Sequence, residues 1–186
     1  VGGTEGQWGF LLETVQRSSD GFKEIDRSSR DAGFDIEDYV AKLQWTGERQ
    51  SLLAKVQYSE EISNETYLGL TDEDFAQNEN RRYGLSEIDQ MDNSHKGYSL
   101  NYAFEATDNL TFSILGYYND YARNWFKLDG GNAYVSAANN GDAEALAILR
   151  GTQDEAGLNY KNNNRAYESK GIEANAQFIF GTHNLE

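Results

Sequence analysis

The sequence predicts an all-β chain: an antiparallel segment of a transmembrane β-barrel, with about six long strands, short turns at one end and long loops carrying short helices at the other. Three observations carry this expectation. Apolar and polar residues alternate with a period of two in six stretches. The connections between those stretches alternate strictly between short and long. Finally, 12 Tyr, 9 Phe and 3 Trp stand beside no Pro at all, so β-favouring aromatics abound and the residue that breaks ladders is missing.

The first stretch is Trp8 to Gln16, where Trp8, Phe10, Leu12 and Thr14 oppose Gly9, Leu11, Glu13 and Val15. In the second, Asp38 to Trp45, Tyr39, Ala41, Leu43 and Trp45 form the apolar row, with Lys42 and Gln44 opposite. After a turn at Thr46 to Gln50, Leu52, Ala54, Val56 and Tyr58 continue the pattern against Lys55 and Gln57. The fourth, Lys96 to Glu105, sets Tyr98, Leu100, Tyr102 and Phe104 against Gly97, Ser99, Asn101, Ala103 and Glu105, an arrangement no amphipathic helix uses. Thr107-Asp108-Asn109 is turn chemistry, so the fifth stretch, Leu110 to Asn119, closes a hairpin on the fourth. The sixth places Ile172, Ala174, Ala176, Phe178 and Phe180 opposite Glu173, Asn175, Gln177 and Ile179, and is expected to end in a turn over Gly181 to Asn184.

The long connections are Ser18 to Asp35, Glu65 to Asp92 and Asp129 to Asn164. Loops beyond ~12–15 residues are uncommon in compact soluble domains. Short periplasmic turns and long outer loops are the ordinary asymmetry of an outer-membrane barrel, whose strands need ~9–11 residues to cross. Two helix signals lie inside these loops. Thr71-Asp72-Glu73-Asp74 resembles a capping box, with Arg81, Arg82 and Gly84 expected to close a turn or two. Asp142 to Arg150, followed by Gly151, reads as a short capped helix.

Composition removes several function classes. The absence of Cys excludes disulfide scaffolds, thiol catalysis and Cys-rich zinc sites. A formal charge of −15 disfavours nucleic acid as a partner. The longest nearly apolar run, Phe112 to Tyr118, falls far short of the ~20 residues of a spanning helix. The two histidines, His95 and His183, form no metal-protease pair, and no nucleophile elbow, phosphate-binding loop or dinucleotide fingerprint occurs. The chain is therefore read as a non-enzyme with no catalytic residues, no metal site and no cofactor. Acid pairs such as Glu60-Glu61 and Asp72/Asp74 lack calcium-loop spacing and read as solvated acids.

The apolar rows fit either the core of a soluble sandwich or a lipid-facing surface. In the second case Tyr39, Trp45, Tyr58, Tyr98, Phe104, Tyr118 and Phe180 are interfacial girdle candidates. Glu13, Lys42, Lys55, Gln57, Asn101, Glu105, Asn119, Glu173, Asn175 and Gln177 would then face a wet lumen. The sandwich reading, a secreted or surface module binding glycans or proteins, leaves the alternating loop lengths unexplained. Against the acidic background, the cations Arg81, Arg82, Arg123, Lys127, Arg150, Lys161 and Arg165 are what an anionic ligand would need. Arg81, Arg82 and Arg123 lie on long connections beside Tyr83 and Trp125. With Trp125 and Lys127 they form the candidate ligand-binding set.

Two groups of residues carry a family resemblance. Glu13 through Ile25, with Ser19-Asp20-Gly21-Phe22-Lys23, and then Asp38-Tyr39-Val40-Ala41-Lys42-Leu43, resemble a barrel segment of TonB-dependent receptors. Ser63 through Asp72 with Arg81-Arg82-Tyr83, Tyr118-Asn119-Asp120 through Arg123-Asn124-Trp125-Phe126-Lys127-Leu128, and the closing His183-Asn184-Leu185-Glu186 are similar to the ferric dicitrate receptor-like branch. The resemblance implies a bacterial outer-membrane receptor that takes up a ferric chelate, ferric citrate or a related siderophore, with iron as cargo. It implies a plug inside a barrel of about 22 strands, energy delivered by the TonB complex through an N-terminal region, and contact with outer-membrane lipid and lipopolysaccharide. Residues 1–186 are expected to be part of the barrel domain, without plug or remaining strands.

Overall fold

The computed structural model describes residues 1–181 and 183–185. Eight strands form one antiparallel sheet in chain order: β1 (Gly2–Glu5), β2 (Trp8–Ser19), β4 (Phe34–Thr46), β5 (Gln50–Asn64), β7 (Gln90–Thr107), β8 (Leu110–Asp129), β9 (Asn159–Phe180) and β10 (His183–Leu185). Two short strands, β3 (Glu24–Ile25) and β6 (Arg81–Arg82), pair in parallel outside it. The six long strands are those the alternation predicts. Among the described residues the sheet stays open, with β1 and β10 at its edges. Strand β1 was not expected, because Gly2-Gly3-Thr4-Glu5 has no apolar row to announce it.

The long strands extend past their expected ends, furthest towards the long loops. β8 runs to Asp129 rather than Asn119, and β9 starts at Asn159 rather than Gly171. The extensions keep their ladder hydrogen bonds but carry polar residues on both faces, so the pattern fades while the pairing continues. Arg123 and Lys127 consequently sit on a strand, not on a long connection, and the asparagine-rich run Tyr160 to Arg165 is strand as well. What remains of the connections still alternates: residues 6–7, 47–49 and 108–109 at one end, and 20–33, 65–89 and 130–158 at the other. In the expected turn at 181–184, Gly181 has φ of 60° and His183 already belongs to β10, while Thr182, like Glu186, lies outside the described residues.

Register fixes the faces. Leu12, Ala41, Val56, Tyr98 and Tyr118 form one rung across five strands, and Phe10, Leu43, Ala54, Leu100 and Gly116 the next. This face is apolar and uncovered: Leu43 and Leu100 are each 50% exposed and Ile172 is 78% exposed. No second sheet packs on it among the described residues, which removes the basis of the sandwich reading. Tyr39 stacks on Tyr58 at 6.5 Å and Tyr98 tilts against Tyr118 at 6.3 Å, forming a tyrosine belt at the long-loop end. Trp8, Trp45, Phe104 and Phe112 stand towards the short-turn end. The six residue steps from Tyr39 to Trp45 cover about 20 Å, close to the ~25 Å apolar band of an outer-membrane barrel. The opposite face carries the polar row, with Lys42 across from Lys55 and Leu115 across from Glu173. His95 is mid-strand on that face, in contact with Gln57 and Asn119.

The buried core lies in the long loops. Leu68, Tyr83, Leu128 and Leu149 cluster with Leu70, Leu85, Tyr134, Val135, Ala138 and Leu158 packed around them. Helix α1 (Asp72–Gln77) is capped by Thr71, whose hydroxyl accepts from the Asp74 amide. Helix α3 (Ala143–Leu149) is capped by Asp142, and Gly151 takes the left-handed conformation after it with φ of 67°. Between them α2 (Asn132–Asn139) has no side-chain cap and no charged residue, and the sequence did not announce it. Arg81 and Arg82 do not close α1: the helix ends at Gln77, and the pair forms β6.

Candidate anion site on the polar face

Alternation along β8 sends Tyr121, Arg123, Trp125 and Lys127 to the polar face of the sheet. The register places Tyr167, Arg165, Asn163 and Lys161 of β9 directly across from them. Two rungs therefore bring like charges face to face, Arg123 with Arg165 and Lys127 with Lys161. Directly opposed like charges destabilise a strand pair unless something neutralises them. None of these four cations has a carboxylate within ion-pair distance among the described residues. By register the nearest acids on this face are Asp129, two residues along β8 from Lys127, and Glu61, two strands from Arg123, whose carboxylate accepts from Asn93 between them at 3.0 Å.

Aromatic rings hold the cations in place. The Lys127 ammonium lies 4.3 Å from the centre of the Trp125 ring and 5.4 Å from that of Tyr67, and the Arg123 guanidinium lies 5.8 Å from Trp125. Arg165 donates to Asn163 at 2.8 Å and to the Tyr167 phenol at 3.4 Å, and Tyr167 stacks on Tyr121 at 6.2 Å. Tyr67 meets Trp125 edge-on at 5.1 Å. The Tyr67 phenol oxygen and the Trp125 indole nitrogen are shielded from solvent and make no hydrogen bond of ordinary geometry. Burial pushes the Tyr67 phenol well up, so it stays a neutral donor. Beside this group a polar cavity of 230 Å³ is lined by Tyr67, Lys127, Asp129 and Asn132 among others.

Asp89 positions the Tyr67 side of the site. It is fully buried, and its two carboxylate oxygens accept from the backbone N–H of Leu128 at 2.8 Å and of Tyr67 at 3.1 Å. One carboxylate thus ties the 65–89 loop to the end of β8. Burial pushes Asp89 up from its ordinary 3.8, against these two hydrogen bonds and the charge of Lys127.

Of the predicted ligand residues, the structure brings Arg123, Trp125 and Lys127 together and places Arg81 and Arg82 elsewhere. The Arg81 guanidinium grips Asp26 at 2.8 Å and Asp74 at 2.9 Å. Arg82 donates to the carbonyls of Glu79 and Arg81, and burial alone lowers the pKa of its guanidinium. Tyr67, Asp89, Lys161 and Arg165 belong to the site but were not in the predicted set. For Lys161 and Arg165 the signal existed: Asn159, Lys161, Asn163, Arg165 and Tyr167 alternate with Tyr160, Asn162, Asn164 and Ala166. Tyr67 and Asp89 carry no local sequence signal, because a fold in the loop delivers them. No cluster of three or more metal-ligating residues occurs among the described residues.

No family model and no curated protein sequence matches the chain. Among solved structures it is similar to the ferric citrate transporter FecA in its unliganded form, with a TM-score of 0.65 and 19% identity over 98% of this chain. The chain spans about a fifth of that structure, 22% of its length. The likeness is one of fold: a wall of long antiparallel strands.

Proposed function

We propose that the chain is part of the barrel wall of a bacterial outer-membrane, TonB-dependent receptor that takes up an anionic ferric chelate, ferric citrate or a related siderophore, without chemical conversion. The observation that carries this reading is the pair of opposed cationic rungs, Arg123 with Arg165 and Lys127 with Lys161, held beside Trp125 with no ion pair to any of the four among the described residues. A multiply charged anion is the ligand that removes this repulsion. Planar guanidinium groups match carboxylates in a bidentate fork, and a low-dielectric wall concentrates the local field despite the acidic whole. The uncovered apolar face and its tyrosine belt support a membrane setting. Strands outside this chain close the barrel in this reading, because open edges are costly in lipid. Energy comes through the TonB complex from an N-terminal region, and iron is cargo rather than cofactor. Arg81 acts by tying Asp26 to Asp74 within the long loops.

The test is binding of ferric dicitrate by the full-length receptor in detergent, with the Arg123→Ala/Arg165→Ala variant beside the wild type. Loss of a charge-assisted contact at each position predicts at least a tenfold weaker affinity, with an uncharged ferric chelate unaffected. Equal affinity of wild type and variant for ferric dicitrate overturns the assignment of this site.

A further inference from the structure

The tyrosine hydroxyls of this chain differ in what they meet. Those of Tyr39, Tyr58, Tyr83 and Tyr118 each donate to a carboxylate, of Glu37, Glu60, Asp74 and Glu168 in turn. A phenol bonded in this way keeps its proton, because a phenolate would face the negative charge of its partner. Tyr167 has the reverse arrangement. Its oxygen accepts from the Arg165 guanidinium at 3.4 Å, so the nearest charge favours loss of the phenolic proton rather than its retention.

Register sets this phenol among the cations of the anion site. Tyr121 lies directly across from it with the two rings stacked at 6.2 Å, and the Arg123–Arg165 rung is the next one along the polar face. Tyr167 is 46% exposed there. The other groups nearby that could reach a metal are engaged or shielded. His95, edge-on to Tyr121, has one ring nitrogen in contact with Gln57 at 3.4 Å and the other with Asn119 at 3.2 Å. The Tyr67 oxygen is closed off from solvent.

We propose that the Tyr167 oxygen becomes a direct ligand of the chelated ferric ion while the anion is held on these rungs. The inference rests on the ferric-chelate reading above, and adds a metal–oxygen bond to what is otherwise recognition by charge. The step involves no redox change. The phenol gives its proton to water, its oxygen forms a bond to iron, and one citrate carboxylate leaves that coordination position. Iron stays ferric throughout. The freed carboxylate passes to the guanidinium of Arg123 or Arg165, which it fits in a bidentate fork. Coordination favours the deprotonated form of a ligand and releases its proton, and tyrosine is an established axial ligand of haem iron.

The experiment is visible absorption of the full-length receptor in detergent, titrated with ferric dicitrate. A phenolate bound to ferric iron gives a charge-transfer band that neither the free protein nor the chelate shows. Wild type should develop this band as it binds and release about one proton per iron. Tyr167→Phe keeps the ring stacked on Tyr121, and should lose the band entirely with affinity weakened about fivefold. Tyr117→Phe, two rungs away on the same face, should keep the band. Wild-type binding of ferric dicitrate with no band overturns the iron ligand and leaves the anion site standing. A band that survives in Tyr167→Phe overturns it equally. No binding of ferric dicitrate by a folded wild type overturns the chelate reading and this ligand together.

Discussion

Asp89 is the residue on which one side of the candidate site turns, because both its oxygens accept backbone N–H groups from segments far apart in sequence. Replacing it with Asn keeps the size but leaves only one carbonyl oxygen, so either Tyr67 or Leu128 loses its acceptor. The expected cost is about 1–3 kcal/mol, read as faster proteolysis of the 65–89 loop and weaker chelate binding. The pH dependence has a definite sign. A carboxyl whose folded pKa is raised above 3.8 holds a proton that the unfolded chain has released, so between those values the folded state binds more protons. Asp89 therefore contributes a stability that falls as pH rises through that window, and Asp89→Asn should flatten this part of the profile. At this scale legibility was uneven. Arg123, Trp125 and Lys127 declared themselves by spacing and type, whereas Asp89 looks in the sequence like any other loop acid.

Among the elements, the three long loops form one folded cap, and Asp74 is its anchor. Its carboxylate is fully buried and accepts from Arg150 at 2.7 Å, Arg81 at 2.9 Å and the Tyr83 phenol at 2.6 Å. Burial alone would raise its pKa, but the hydrogen bonds from Arg150 and Tyr83 and the charge of Arg81 outweigh it and hold Asp74 below 3.8. That stability is fully present above 3.8 and is lost as pH falls through the lower folded value, opposite in sign to Asp89. Asp74→Ala leaves Arg81 with Asp26 alone and Arg150 with only the 3.5 Å contact to Glu73, and should cost about 1–3 kcal/mol. Limited proteolysis should then cut all three loops while the sheet stays intact. The elements show why part of this fold was readable and part was not. Six strands were legible because one face is apolar and the other polar. Their polar extensions were not, since backbone pairing continues after the side-chain pattern stops. Helices α1 and α3 announced themselves through Thr71 and Asp142, while α2 has no cap and is held by packing of Tyr134, Val135 and Ala138 on the loop core.

For the molecule as a whole, the burial is inverted relative to a soluble β protein: the sheet shows its apolar side outward and the compact core sits among the loops. A charge placed mid-face should therefore be penalised by the surrounding solvent rather than by neighbouring side chains. Leu43→Arg, half-exposed and mid-strand, is expected to cost about 2–4 kcal/mol in a bilayer, measured by chemical unfolding of the full-length protein from vesicles. The same change at Gln44, on the polar face, should cost less than 1 kcal/mol, within the range of ordinary surface substitutions. Equal penalties at the two positions would mean that the apolar face does not meet lipid. The phenol–carboxylate contacts at the long-loop end have a mechanical meaning in the same setting. Each tyrosine has its ring on the apolar side and its hydroxyl tied to Glu37, Glu60 or Glu168. Sinking the wall by a single rung would drag those carboxylates into hydrocarbon, and raising it by one would strand Trp45 and its neighbours in water. In the membrane setting proposed above these contacts mark the depth of the wall, and a bilayer of mismatched thickness would deform to meet it.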